Sequence, residues 1–235
     1  MYQEKLNCFE NIENLAGKSW EHAVAIDVLN TTNYYLPECF NPEKHWLSEE
    51  TIGHDSAYQC DVTTAASQHS WRVAFFKHLV DYDVKLWGNP APLWMPAGSV
   101  AQMYQGRPVH NHDKVKAFRG AKIVVNNLYY SEIGGVNVRC FEAAGAGAFQ
   151  MVDWRPGLGQ LFEDGKKLIS FKNIADLKQK IDYWLPREAE RRLIAEAGMR
   201  RAHAEHTYVL RLGLLLDTLT GIRHGFPSPQ ISYAI

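Results

Sequence analysis

The chain has 235 residues, a formal net charge of −1 and a hydrophobic fraction of 46%. That length fits one large domain or one domain with part of a second, and a near-neutral charge gives no electrostatic case for nucleic acid as the main partner. No stretch approaches the roughly 20 apolar residues that a membrane helix needs. Nor does an apolar run follow the N-terminal Met1-Tyr2-Gln3, so no signal peptide is expected. The four cysteines, Cys8, Cys39, Cys60 and Cys140, include no C-x-x-C pair and no zinc-ligand spacing. Free thiols fit a reducing compartment, and the expected location is cytoplasmic.

The first 50 residues show no strand–helix alternation: 9–30 reads as helical at best and 33–42 as extended. From residue 58 the alternation is regular. A strand is expected at 58–64, an amphipathic helix at 71–80, a short apolar run at 83–87 and an irregular proline-rich loop at 89–96. A helix at 112–118 follows. Then comes 122–125 (KIVV), a β-branched run of the kind buried on both faces of a parallel sheet. Next are a helix at 137–144 and strands at 148–152 and 167–171. Three helices close the pattern, at 174–185, 187–206 and 208–222, with Pro186 at the start of the second. Repeated β/α units with short connections predict a doubly wound parallel sheet of five or six strands.

In such sheets ligands bind beyond the carboxyl ends of the strands. That rule selects Asn126 and Asn127 after the KIVV strand, the loop containing Gly134 and Gly135, and the helix opened by Asn137. A helix N-terminus beside glycines is an anion site, and Asn137 is a good N-cap type. Arg139 in the first turn opposes the helix dipole unless an anion offsets it. Glu142, one turn on, can accept two hydrogen bonds from a ribose diol. The competing reading makes Arg139 and Glu142 a surface ion pair at i,i+3 spacing.

Other motifs carry less. Gly145-Ala146-Gly147 lacks the third glycine of a dinucleotide fingerprint and precedes a strand, so it reads as a helix C-cap. His110 with His112, and His203 with His206, could each pair on a metal. Neither pair has a third ligand nearby in sequence, and both read as structural or solvated. No metal and no cofactor is expected. Trp71, Trp87, Trp94, Trp154 and Trp184 read as core or domain-edge residues. No serine-nucleophile motif is present.

The run Gly135-Val136-Asn137-Val138-Arg139-Cys140-Phe141-Glu142, continuing to Gly147, resembles the signature of the spore-maturation CgeB-like glycosyltransferases. Flanking pieces follow in the same order. Tyr35-Leu36-Pro37 and Asn41-Pro42 resemble the family's linker, Asp61-Val62 with Ser67 and Arg72 its first C-domain strand and helix, and His206-Thr207-Tyr208 its closing helices. The resemblance spans residues 33–215. One departure is Ala66, where the family has glycine before the serine matched to Ser67.

The resemblance implies an α/β fold: a Rossmann-like doubly wound sheet, the C-terminal half of a GT-B glycosyltransferase, with an N-terminal extension. Residues 51–222 would form the nucleotide-sugar-binding domain, 223–235 a tail, and 1–50 a segment and linker that is the remnant of, or the link to, a missing N-domain. The donor, a nucleoside-diphosphate sugar, would be held by Ser67, Asn126, Gly135, Asn137, Arg139 and Glu142, with Glu142 on the ribose and Arg139 near the diphosphate. No catalytic residue is assigned, and the acceptor is unknown. A lone C-terminal half leaves its inter-domain face open, and the aromatic-rich N-terminal segment (Phe9, Trp20, Tyr34, Tyr35) is expected to cover that face or to recruit a partner, giving a homodimer or a complex with a separate N-domain protein. Three functions stay open: sugar transfer to an acceptor, a non-catalytic nucleotide-sugar-binding or partner-binding module, and another Rossmann-like enzyme such as a sugar epimerase or an oxidoreductase, the last disfavoured by the missing glycine fingerprint.

Overall fold

The run read at 122–125 is the central strand of a five-stranded parallel sheet in the computed structural model, which describes residues 35–52, 55–94 and 98–221. The strands are β1 (Cys60–Ala65), β2 (Val84–Trp87), β3 (Ala121–Asn126), β4 (Gln150–Asp153) and β5 (Ile169–Phe171), in the order β2-β1-β3-β4-β5. Among the described residues the helices are α1 (Pro42–His45), α2 (Glu49–Ile52), α3 (Ser70–Phe76), α4 (Asn111–Gly120), α5 (Val138–Gly145), α6 (Leu158–Leu161), α7 (Ile174–Trp184), α8 (Glu188–Glu205) and α9 (Tyr208–Leu219). The helix expected at 9–30, together with Cys8, Phe9, Trp20, Tyr34 and the tail at 223–235, lies outside the described residues.

Strand periodicity explains why the middle of β3 is apolar at successive positions. Ile123 and Val125 pack on one face of the sheet with Val73 and Phe76 of α3 and with Leu177 and Ile181 of α7. Val124 points to the other face, against Val115 and Phe118 of α4 and Ala143 of α5. Alternate residues thus enter two separate cores, and a sheet covered on both faces has no polar side.

Among the described residues the expected strands and helices from 58 onward are present, with shifted ends that have local causes. The strand expected at 148–152 begins at Gln150, because the Ala148 N–H is already used in closing α5, donating to Ala143 O at 3.1 Å while Gly147 donates to Ala144 O at 2.9 Å. That bond pair, with Gly147 at φ +76°, is the left-handed glycine closure of a helix, so the glycine run does serve as a C-cap. The helix expected at 71–80 is α3 followed by a tighter 3-10 turn over Lys77–Leu79. Pro186 sits in the turn before α8 and not inside it, since Arg187 N–H bonds back to Trp184 O at 3.0 Å. Residues 35–41 of the stretch read as extended are non-helical, and α1 begins only at its last residue: Asn41 caps the Glu43 N–H at 2.9 Å and Pro42 occupies the first helical position.

Residues 35–47 are packed into this body. Phe40 is fully buried beside Phe141, Leu161 and Ala202, and its backbone bridges Thr207 through Phe40 N–H to His206 O (3.0 Å) and Tyr208 N–H to Phe40 O (3.1 Å). His206 beneath it is fully buried. Its Nε2 bonds Leu161 O at 3.2 Å, and Arg211 donates to its Nδ1 at 2.8 Å. Burial pushes this ring down to about 4, with the Arg211 and Arg201 charges adding to the effect. Between pH 6.5 and 4 the unfolded chain therefore holds a proton that the folded chain excludes, and stability falls as pH falls through that window. Urea titrations at pH 7 and pH 4.5 should show a loss of about 2 kcal/mol from this group. The His206→Gln variant should lose correspondingly less between the two pH values. An identical pH dependence in both proteins would show that His206 is not held neutral.

Candidate functional site

The chain runs from β1 to β2 on one side, then crosses through α4 to β3 on the other side of β1. Neighbouring connections diverge at the carboxyl ends of β1 and β3, which opens the crevice where doubly wound sheets take ligands. The residues there are Ala65 to Ser67 after β1 and Asn126 with Asn127 at and after β3.

Three of the expected donor residues meet in one hydrogen-bonded group. Asn126 is fully buried, and its side-chain amide pairs reciprocally with Asn137, at 3.0 and 3.3 Å. Arg139 donates from Nη1 to Asn126 Oδ1 at 2.8 Å and from Nε to Ala65 O at 3.0 Å. Asn137 is the N-cap residue of α5 by position, but its side chain makes no capping bond. Its amide is spent on Asn126, so it fixes the loop to the strand and leaves the first-turn N–H groups uncapped by that side chain. Ser67 stands alongside, with Asn89 Nδ2 3.2 Å from its Oγ. Gly135 is buried beneath Tyr35, whose hydroxyl would lie 3.4 Å from an added methyl group, an ordinary contact. Glycine is thus not forced at 135 by crowding.

Glu142 is brought to the same edge but faces a different set of groups. Lys114 Nζ lies 3.0 Å from both of its carboxylate oxygens, and His45 Nε2 lies 3.2 Å from Oε1. The surface-pair reading of Arg139 and Glu142 is therefore corrected. Arg139 is tied to the strand ends, Glu142 is tied to α4 and α1, and Glu142 is only 6% exposed. Spacing alone could not show this, because the true partners are 28 and 97 residues away in sequence.

Arg72, which the sequence placed in α3 without a role, belongs to this site. It is 5% exposed, and its Nε donates to Asn127 Oδ1 at 3.2 Å while Nη1 donates to Ser67 O. Its guanidinium lies 4.3 Å over the Trp71 ring, which in turn meets Tyr129 at 5.5 Å. Burial lowers its proton affinity, and the neighbouring positive charge of Arg139 lowers it further, to about 9; Glu132 acts in the opposite direction. Burial likewise lowers Arg139, with Glu142 and Glu132 opposing. An anion beside these two desolvated guanidiniums and the helix N-terminus would favour their charged forms. The partner bonds of Arg72 are all to loop atoms, so no apolar periodicity marked it.

Burial raises the Glu132 carboxyl, and Glu38 adds to that, against Arg139 and Arg155. The outer rim carries Tyr130 and Trp154, which are exposed, while Trp87 is buried. His112 bonds Glu43 O at 3.1 Å and His203 bonds Gly145 O at 2.9 Å. Among the described residues no group of three or more His, Cys, Asp or Glu is arranged to hold a metal ion, and no helix is long and apolar enough to cross a membrane.

Comparison with known proteins bears on this geometry. The sequence profile of the family described as "Glycosyl transferase-like" matches residues 69–217. No curated protein sequence matches the chain. Among solved structures, sucrose-phosphate synthase from Thermosynechococcus elongatus is similar at a TM-score of 0.60 and 14% identity, covering 87% of this chain and 58% of its own. HepE from Anabaena in complex with UDP is similar at 0.65 and 13% identity, covering 87% of this chain and 63% of its own. The C-terminal domain of a glycosyl transferase group 1 family protein from Francisella tularensis gives 0.52 and 12% identity, covering 72% of this chain and 99% of its own. The chain thus spans about three fifths of the first two structures, and the shared element is the Rossmann-like α/β domain of GT-B glycosyltransferases.

Proposed function

Because the chain belongs to the glycosyl transferase-like family, we propose that it binds a nucleoside-diphosphate sugar at the carboxyl ends of β1 and β3 and takes part in transfer of the sugar to an acceptor. The observation that carries this reading is the pairing of two desolvated arginines, Arg72 and Arg139, with an enclosed carboxylate, Glu142, at the switch point of the sheet. HepE, similar in fold, is known with UDP and with UDP-glucose, which supports a nucleoside diphosphate as the ligand class here. The narrower reading, a CgeB-like transferase of hexose units, rests on the run from Asn137 to Glu142.

In this reading the ribose hydroxyls reach Glu142 and the diphosphate lies between Arg72, Arg139 and the start of α5, bounded by Ser67 and Gly135. Transfer breaks the bond between the sugar's anomeric carbon and the phosphate oxygen, and an acceptor oxygen forms the new bond to that carbon. The negative charge that develops on the leaving diphosphate is met by fixed guanidiniums and by the helix N-terminus in a water-poor crevice, where such groups act most strongly. The reading requires no metal. The acceptor side would come from a second Rossmann-like domain, on a longer chain, on a separate protein or on a second copy of this one. A cytoplasmic location belongs to the same proposal.

The test is direct. The purified chain is incubated with UDP-, GDP- and ADP-sugars and the release of nucleoside diphosphate is measured, alongside calorimetric titration with the free diphosphates. Binding and slow release of diphosphate are expected. Glu142→Gln should weaken binding by about 1–3 kcal/mol through the ribose contact. Arg139→Ala should reduce the preference for diphosphate over bare nucleoside. Wild-type binding that neither substitution alters would remove the donor site from this edge of the sheet.

A further inference from the structure

Both carboxylate oxygens of Glu142 already carry partners. Lys114 takes a lone-pair direction on each carboxylate oxygen, and His45 takes a second one on Oε1. An ionised carboxylate offers about four such directions, so one remains, on Oε2. A ribose diol presents two hydroxyls, and gripping both across the carboxylate needs an acceptor direction on each oxygen. With His45 in place, both hydroxyls cannot be accepted in that way.

The two covering groups are held differently. Lys114 sits on α4, a ten-residue helix whose Val115, Ala117 and Phe118 are buried against the body. It makes two charge-assisted bonds to the carboxylate. His45 is the last residue of α1, a single turn of four residues, and the chain leaves it at Trp46 in extended backbone. Burial holds the His45 ring below its ordinary range, with Lys114 adding and Glu142 opposing. A neutral imidazole N–H makes a weaker bond to a carboxylate than an ammonium does. Of the two contacts, the His45 bond is the one a hydroxyl can displace, and a swing of its side chain is enough to free Oε1.

We propose that His45 is a specificity-determining gate on the ribose subsite, holding the Glu142 oxygen that the second ribose hydroxyl must take, while Lys114 is the fixed positioning residue that orients the carboxylate. The proposal rests on the reading of Glu142 as the ribose-binding group. A ribonucleotide exchanges the His45 bond for a hydroxyl bond. A 2′-deoxynucleotide has one hydroxyl, uses the open direction on Oε2 and leaves His45 where it is. The gate therefore reduces the advantage of the ribo form, and its removal increases that advantage.

The experiment is calorimetric titration of the full chain with UDP, GDP and ADP and with their 2′-deoxy counterparts. The proteins are the wild type, His45→Ala, His45→Phe and Glu142→Gln, each checked for folding by its thermal transition. His45→Phe keeps a ring in the packing but cannot donate. For the base that binds, both His45 variants are expected to tighten the ribo form by about three- to tenfold and to leave the deoxy form within about twofold. Ribo binding that is unchanged or weaker in both His45 variants, with Glu142→Gln weakening it as expected, overturns the gate and leaves the donor site standing. Ribo binding that Glu142→Gln does not alter removes the ribose role of Glu142, and the gate falls with it. Absence of binding by every protein to every nucleotide overturns both.

Discussion

Replacing Arg72 by methionine is expected to cost nucleoside-diphosphate binding about 1.5–3 kcal/mol, roughly 10- to 150-fold, while leaving binding of the bare nucleoside nearly unchanged. Methionine fills much of the same volume, so the packing against Trp71 persists and the charge alone is removed. The size of the effect follows from burial. A surface arginine is screened and contributes little, but Arg72 is 5% exposed and its charge acts on a phosphate through protein more than through water. Stability should change less than affinity. The substitution loses bonds to Asn127 and Ser67 O but also ends the repulsion from Arg139. Titration with a diphosphate, a monophosphate and a nucleoside of the same base measures the preference. Equal losses for all three, or none, would make Arg72 a strut between β1 and β3 and not an anion ligand.

Gly145→Val is expected to be strongly destabilising. A Cβ at Gly145 would stand 2.2 Å from the Phe40 ring, far inside contact distance. The ring cannot retreat, because it is fully buried, meets His203 edge-on at 5.1 Å and belongs to a residue whose backbone is bonded to His206 O and to the Tyr208 N–H. Overpacking of this severity costs about 4 kcal/mol or more, or on the order of 10 °C in melting temperature. Thermal and urea unfolding of Gly145→Val measures the loss, and combining Gly145→Ala with Phe40→Leu should recover part of it. A valine variant that melts with the wild type would show that residues 35–47 do not pack against α5.

The sheet was legible because its signal is repeated. Strands and helices alternate from β1 to the closing helices, and in β3 alternate residues such as Val124 and Ile123 serve different cores, so no polar face interrupts that run. The site was legible only in part. Asn126, Asn137 and Arg139 lie close together in sequence on one strand–loop–helix unit, and the fold brings them into one hydrogen-bonded group. Arg72, Lys114 and His45 come from three other elements. Their positions depend on how helices pack across the strand ends, and tertiary packing of that kind leaves no period in the chain. The helix α1 was missed for a different reason. Four residues are too few to show a helical repeat, although Asn41-Pro42-Glu43 carries the cap, the first-position proline and the first-turn acid of a helix start.

The bridge between Phe40 and Thr207 has a mechanical consequence. Two backbone bonds and the Arg211 contact to Glu38 O join the incoming strap to the start of α9, so residues separated by most of the domain's sequence lie side by side. A force applied between residues 35 and 221 would load that clasp before any strand of the sheet. Because the bridge is parallel, this pull would load its bonds together in shear, and Phe40 would leave its socket beneath Gly145 while β1 to β5 stayed paired. Stretching the chain in an optical trap should then show a small early release of length, followed at higher load by the rupture of the sheet itself.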